Sequence, residues 1–215
     1  MRILPSLASA PLLHLAQTVK ELESAGVDGL HFDVEDGTFV PCMTLGTRLI
    51  SELRLCTPLP FDVHLMMVNP EWLLPELASI GVDRISVHYE ACAYPRRVLR
   101  QIASFGIAAG LAFNPVTPIS DLRYLAPYLS YILILSTEPE VADTPYLPQV
   151  LEKLRSGKAE PALQNVEWVV DGGVRAENIE EIRHAGADTV VVGRGVFNDQ
   201  PIGANVSALR NRSAS

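Results

Sequence analysis

Ala25-Gly26-Val27-Asp28-Gly29-Leu30-His31-Phe32-Asp33-Val34 carries the pattern on which the fold turns: the end of a helix-like stretch, a glycine, then a β-rich run. The same order returns at Gly81 (Ile80 to Tyr89), at Gly106 (Ser104 to Phe113) and at Gly186 (Ala185 to Gly193). These glycines are 55, 25 and 80 residues apart, near two, one and three multiples of about 27. The chain length, 215 residues, divided by eight also gives about 27, a fair length for one strand–helix unit. Glycine at each junction suits a helix end, where the chain turns through a left-handed conformation.

The segments between the junctions agree. Leu12, Leu15, Ala16, Val19 and Leu22 recur at helical spacing before Gly26. Eight strands are predicted, at Ile3–Ser6, Leu30–Val34, Phe61–Met66, Arg84–His88, Ala109–Asn114, Tyr131–Ser136, Val166–Asp171 and Thr189–Gly193. Strands alternating with helices imply a parallel sheet, and eight units in one domain imply a closed barrel. The reading is therefore an α/β protein, a single-domain (β/α)8 TIM barrel spanning residues 1–215, with a polar tail from about Arg210. A doubly wound open sheet is the structural competitor.

Composition narrows the function. The net charge is −8 and Lys and Arg do not cluster, which argues against nucleic acid and anionic membranes. No apolar run approaches the roughly 20 residues of a membrane-spanning helix. The N-terminal stretch reads as a first strand and the start of a helix, because Pro5 and Pro11 interrupt its apolar run. Cys42, Cys56 and Cys92 form no CxxC pair and fit reduced thiols in a cytoplasmic protein.

Strand parity then sorts the polar residues. In Phe61-Asp62-Val63-His64-Leu65-Met66 the apolar set faces the helices, which leaves Asp62, His64 and Met66 on the barrel axis. By the same count His31 and Asp33 point inward, as do Ser86 and His88. Ser6, Asn114, Ser136 and Asp171 close four other strands. Polar groups thus gather at the C-terminal ends of the strands, where barrel enzymes assemble their active sites. Each has a plainer role open to it. A strand-end Ser or Asn commonly forms a turn or cap. His88 fits a hydrogen-bonded core histidine equally well. Met43, Met66 and Met67 suit core filling as well as pocket lining. Two imidazoles and two carboxylates meeting in one apolar mouth are costly unless paired, and a divalent cation pairs them economically.

Leu4-Pro5-Ser6-Leu7-Ala8-Ser9, the run from Leu30 to Pro41, Asp62 to Met67, Val87 to Ala91, Leu111 to Pro118, Val169 to Val174 and Val191 to Phe197 resemble, in that order, the ribulose-phosphate 3-epimerases. The resemblance covers about Ile3 to Phe197. It implies a barrel that holds one divalent metal ion on His31, Asp33, His64 and Asp171. It also implies that Asp33 and Asp171 are the catalytic acid–base pair. Ser6, His64 and Met66 would contact substrate, and Gly172, Gly173, Gly193 and Arg194 would cradle its phosphate. The substrate implied is a ketose phosphate and the assembly a homo-oligomer, expected as a dimer. A His2Asp2 set suits Zn, Fe, Mn or Co.

Two departures stand out. After the sixth strand the family carries a Gly-rich phosphate loop, whereas here the run from Ser136 to Thr144 has lost its glycines and gained acids. Carboxylates repel phosphate, so either this loop no longer closes on it or the substrate differs from a simple pentulose 5-phosphate. Glu35 replaces an apolar residue, often Met. It reads as a site acid by parity, or as a solvated acid opening the turn at Asp36-Gly37. Arg194 stands where a small residue is usual and offers phosphate a charged fork.

Two rival functions share the fold. Sugar-phosphate lyases place a lysine on strand three, where this chain has His64, and Lys20, Lys153 and Lys158 lie at no predicted strand end. A sugar-phosphate-binding protein without catalysis is the other rival, opposed by the intact ligand and aspartate positions.

Overall fold

The structure is a computed structural model, and it describes residues 1–119, 121–139 and 144–214. Eight parallel strands alternate with helices: β1 (Arg2–Pro5), α1 (Leu15–Ser24), β2 (Leu30–Glu35), α2 (Thr47–Arg54), β3 (Phe61–Met66), α3 (Leu74–Ile80) and β4 (Arg84–His88) lead. They are followed by α4 (Pro95–Ser104), β5 (Ala108–Phe113), β6 (Tyr131–Leu135), α5 (Leu151–Lys158), β7 (Glu167–Asp171), α6 (Ile179–His184), β8 (Thr189–Val192) and α7 (Ile202–Ala214). From β2 to β8 each strand pairs in parallel with its sequence neighbour, and β1 pairs with β8. Between β1 and β2 the ladder shrinks to one bridge, Ser6 to His31, so the barrel is nearly closed. The fold is a (β/α)8 barrel.

The repeat glycines do what the spacing requires. Gly26, Gly81, Gly106 and Gly186 all take positive φ, from 73° to 103°, just after a helix. There a side chain would strain the turn into the next strand. One unit departs from the repeat. Between β5 and β6 the described residues hold only a 3-10 turn, Ala126–Tyr128. Pro115, Pro118 and Pro127 remove three amide donors from that stretch, which an α-helix would need. The polar stretch from Arg210 is helical: residues 210–214 continue α7, and Arg210 bonds Asp28 at 2.8 Å.

Alternation along the strands builds two packing layers. Phe32, Val63, Ile85, Ile132, Trp168 and Val190 face outward and are fully buried beneath the helices. Each contributes about 1.5–3 kcal/mol by leaving water. Inside, Ala112, Tyr131, Leu133, Leu135, Val169 and Val191 fill the axis. Beneath them, at the N-terminal ends of the strands, lies a floor of paired charges. Arg84 forks onto Glu167 at 2.9–3.1 Å and reaches Asp62 at 3.3 Å. Glu167 also pairs with Arg2 and accepts from Thr189 at 2.6 Å. Tyr131 donates to Asp62 at 2.8 Å, with the Arg84 guanidinium 4.1 Å above its ring. Among the described residues, no helix is long and apolar enough to cross a membrane.

Candidate active site

The register of β2 against β3 sets the site. It places His31 opposite Asp62 and Asp33 opposite His64. With Asp171 at the end of β7, four side chains from three strands converge, and one ligand atom from each lies within 4.8 Å of the others. His31 Nε2 is 3.1 Å from Asp33 Oδ1 and 3.7 Å from Asp171 Oδ2. His64 Nδ1 is 3.4 Å from Asp33 Oδ1 and 3.7 Å from Asp171 Oδ2. Those carboxylates attract the His64 ring but are not aligned as acceptors, and Nδ1 makes no hydrogen bond. Ser6 donates to the other oxygen of Asp33 at 2.6 Å.

Each histidine is oriented from behind. Asp62 meets His31 Nδ1 at 2.9 Å, which turns Nε2 toward the cluster. His64 Nε2 meets His88 Nε2 at 2.9 Å, and His88 Nδ1 meets Glu90 at 3.1 Å. With the His88 Nδ1–H donated to Glu90, its Nε2 accepts from His64, and the His64 Nδ1 lone pair faces the two aspartates. His88 is thus neither a ligand of the cluster nor an isolated core histidine. Burial lowers its pKa to about 4 against the pull of Glu90, which keeps it neutral. Glu90, despite partial burial, is held at about 2 by His88, Thr117 and the Asn114 amide.

The cluster itself is strongly polarised. Burial works against the charged form of His31, yet Asp33 and Asp62 outweigh it and lift its pKa well above the usual value. His64 is raised in the same way by Asp171 and Asp33. Burial would raise Asp33, but the two imidazoles pull it far below the ordinary carboxylate range. A positive charge is therefore strongly favoured among these four groups.

Above the cluster opens a cavity of about 550 Å³. Asp33, Asp171, Ser6, Met66 and Leu135 form its base, while Gly172, Gly173, Gly193 and Arg194 line one side. The positive φ of Gly172 and Gly173, 103° and 65°, favours glycine, and a Cβ on Gly172 would lie 2.4 Å from Thr137 Oγ1. The described part of the altered loop, including Thr137, Glu138 and Tyr146, borders the same cavity, whereas residues 140–143 lie outside the described residues. Of the methionines left open by sequence, Met66 lines the cavity, Met67 sits in the outer core, and Met43 is 77% exposed and serves neither.

Sequence reasoning did not assign the backing residues Asp62, His88 and Glu90, nor Arg175, which also borders the cavity. Parity put Asp62 and His88 inside, but only the register between strands shows what they touch. Glu35 is a correction to the reading as a solvated turn acid. It ends β2 with 5% exposure, and the turn is held instead by Asp36, which accepts from the amides of Thr38, Phe39 and Val68.

An eight-stranded α/β barrel with two histidines and two aspartates gathered at its C-terminal mouth defines a metal-competent barrel of the enzyme type. Residues 2–197 match the family model described as Ribulose-phosphate 3 epimerase family. A ribulose-phosphate 3-epimerase of Escherichia coli is 39% identical over 202 residues, covering 93% of this chain and 89% of that one. One from Synechocystis sp. is 37% identical over 213 residues, covering 97% and 93%, and one from Bacillus subtilis is 33% identical, covering 98% of each. The chain belongs to the ribulose-phosphate 3-epimerase family and is an isomerase, an epimerase. Among solved structures, a 3-keto-L-gulonate-6-phosphate decarboxylase from Vibrio cholerae superposes with a TM-score of 0.76 at 17% identity, covering 99% of this chain and 97% of that one. That likeness concerns the fold alone.

Proposed function

We propose that this protein is a metal-dependent epimerase of a ketose phosphate, inverting the carbon beside the ketone, with Asp33 and Asp171 as its two proton-transfer groups. The observation that carries the reading is the approach of these carboxylates from β2 and β7 over the same two imidazoles. Inversion requires removing a proton from one face of a carbon and returning one to the other. Two carboxylates on opposite sides of a planar enediolate achieve this without turning the substrate over.

The donor chemistry fits one divalent ion on His31, Asp33, His64 and Asp171. The buried His64 Nδ1 has no hydrogen bond, and the oriented His31 Nε2 faces the same two aspartates. Zn, Fe, Mn and Co all accept such a set. Such an ion, when bound, acts as a Lewis acid that stabilises negative charge on the enediolate oxygens.

The chain's own residues supply the rest. Ser6 fixes Asp33 through its hydroxyl and borders the substrate space. Met66 and Leu135 exclude water at the base of the cavity, which favours proton transfer by groups that would otherwise be weak bases. The backbone of Gly172, Gly173 and Gly193 and the guanidinium of Arg194 bind the phosphate from the β7–β8 side. The acids of the altered loop bear on which ketose phosphate is used, not on the reaction. Three cysteines outside any disulfide fit a protein of the cytoplasm.

The deciding experiment is incorporation of solvent deuterium into pentulose and hexulose phosphates, with metal content measured on the same samples. Exchange at the carbon next to the ketone, dependent on bound metal, is the expected result. Stoichiometric metal with no exchange across the panel would favour a binding protein instead.

A further inference from the structure

Glu35 is the third inward residue of β2, following His31 and Asp33. It is 5% exposed, both its carboxyl oxygens are shielded from solvent, and neither has a hydrogen-bond partner. The other buried carboxyls are engaged: Asp33 with Ser6 and His31, Asp62 with His31, Tyr131 and Arg84. A carboxyl left this way disfavours folding, and natural interiors seldom keep one without a use. The turn does not need it, because Asp36 holds the turn. No Glu35 oxygen belongs to the four-residue ligand cluster found among the described residues.

The register locates the group. Glu35 stands opposite Met66, which forms part of the cavity base, and its own carboxyl does not border the cavity of the empty protein. The β7–β8 glycines and Arg194 lie on the far side of β1 from β2 in the strand order. A ketose phosphate whose phosphate sits by those glycines, with its reacting carbons between Asp33 and Asp171, directs its other end toward β2 and β3. In a 2-ketose that end carries a hydroxymethyl group.

We infer that Glu35 is a specificity-determining residue, accepting a hydrogen bond from the hydroxyl at the unphosphorylated end of the ketose. The inference rests on the epimerase reading of the same cavity. A methyl group in place of that hydroxymethyl leaves the carboxyl unpaired, and a site built to bond a hydroxyl rejects the analogue lacking it. An apolar side chain at residue 35 has no such preference.

The test compares D-xylulose 5-phosphate with its 1-deoxy analogue on the metal-loaded protein, reading deuterium exchange at C3 and calorimetric dissociation constants. The wild type is expected to prefer the hydroxylated ketose by roughly 10- to 100-fold in kcat/KM and in affinity. Glu35→Met is expected to cut the preference below about threefold, mainly through KM, while raising the thermal midpoint because a buried unpaired group is gone. Glu35→Gln, which still accepts a hydrogen bond, retains part of the preference. A wild type without preference, or a folded Glu35→Met variant that keeps it, overturns the inference. If both ketoses bind but neither exchanges, the epimerase reading fails and the calorimetric preference alone decides on Glu35. If neither binds, both readings fall.

Discussion

The floor and the mouth of this barrel hold similar side chains under opposite rules. At the floor, Arg2, Asp62, Arg84 and Glu167 all have partners of opposite charge, and Tyr131 and Thr189 add hydrogen bonds to the same carboxylates. At the mouth, His64 Nδ1 and both oxygens of Glu35 have no hydrogen bond, and two raised histidines crowd two aspartates. Both layers are buried within one short barrel, so burial alone does not separate them. The difference is satisfaction: a closed network does its work by holding the strands, whereas groups left open are ready for something that arrives later.

Substitutions at the two layers should therefore fail in different ways. The largest effect belongs to the mouth. Asp33→Asn and Asp171→Asn should each lower kcat by about 10²–10⁴-fold while far-ultraviolet circular dichroism stays native, since in the proposed reaction each removes a proton-transfer group. Activity near wild type in either variant would sink the two-aspartate assignment. At the floor, Arg84→Met leaves Asp62 and Glu167 facing each other without their shared cation and should cost about 3–5 kcal/mol of stability in urea unfolding. The turnover of its folded fraction should change only a few-fold. A large loss of kcat at full stability would show that the floor is not merely structural.

The two layers meet at Asp62, which bonds floor residues with one oxygen and His31 with the other. Asp62→Asn should weaken metal binding by about 10–100-fold, read by competition with a chelator, because the partner that fixes the His31 ring is lost. Unchanged affinity would mean that His31 is oriented without it.

The smallest effect is a pH dependence of the metal-free chain. His31 and His64 have folded pKa values raised above the unfolded one, so their contribution is complete below about 6.5 and fades as pH climbs through the folded values. Asp33 and Asp62 are depressed, so theirs is present above about 4 and is lost as pH falls toward the folded values. Metal-bound histidines carry no added proton, so the gap between loaded and metal-free melting temperatures should widen by several degrees from pH 6 to pH 9. A constant gap in differential scanning fluorimetry contradicts proton–metal competition at these rings.

Much of this layout can be read from the chain because it obeys fixed periods. The left-handed junction after each helix demands Gly26, Gly81, Gly106 and Gly186, and period-two alternation turns His31, Asp33 and His64 inward whatever surrounds them. The pairing of His31 with Asp62, and the run from His64 through His88 to Glu90, depend on how far one strand slides along the next. No single strand records that offset. The prolines between β5 and β6 tell against an α-helix, and among the described residues that stretch holds none, whereas the eightfold count alone implies one. Parity alone leaves Glu35 open between a site acid and a solvated one, because burial at a strand's end depends on what folds over it, and its neighbours in sequence, Asp36 and Gly37, speak only of a turn.

The single bridge between Ser6 and His31 makes the β1–β2 border the least stitched seam of the barrel. Its two sides carry Ser6 and the first half of the ligand cluster, so a cation and a sugar phosphate held there would work like a clasp on an open cuff. Amide hydrogens along residues 2–4 and 30–35 should then exchange faster than those of β3 to β7 in the empty protein, and slow down most when both ligands are present.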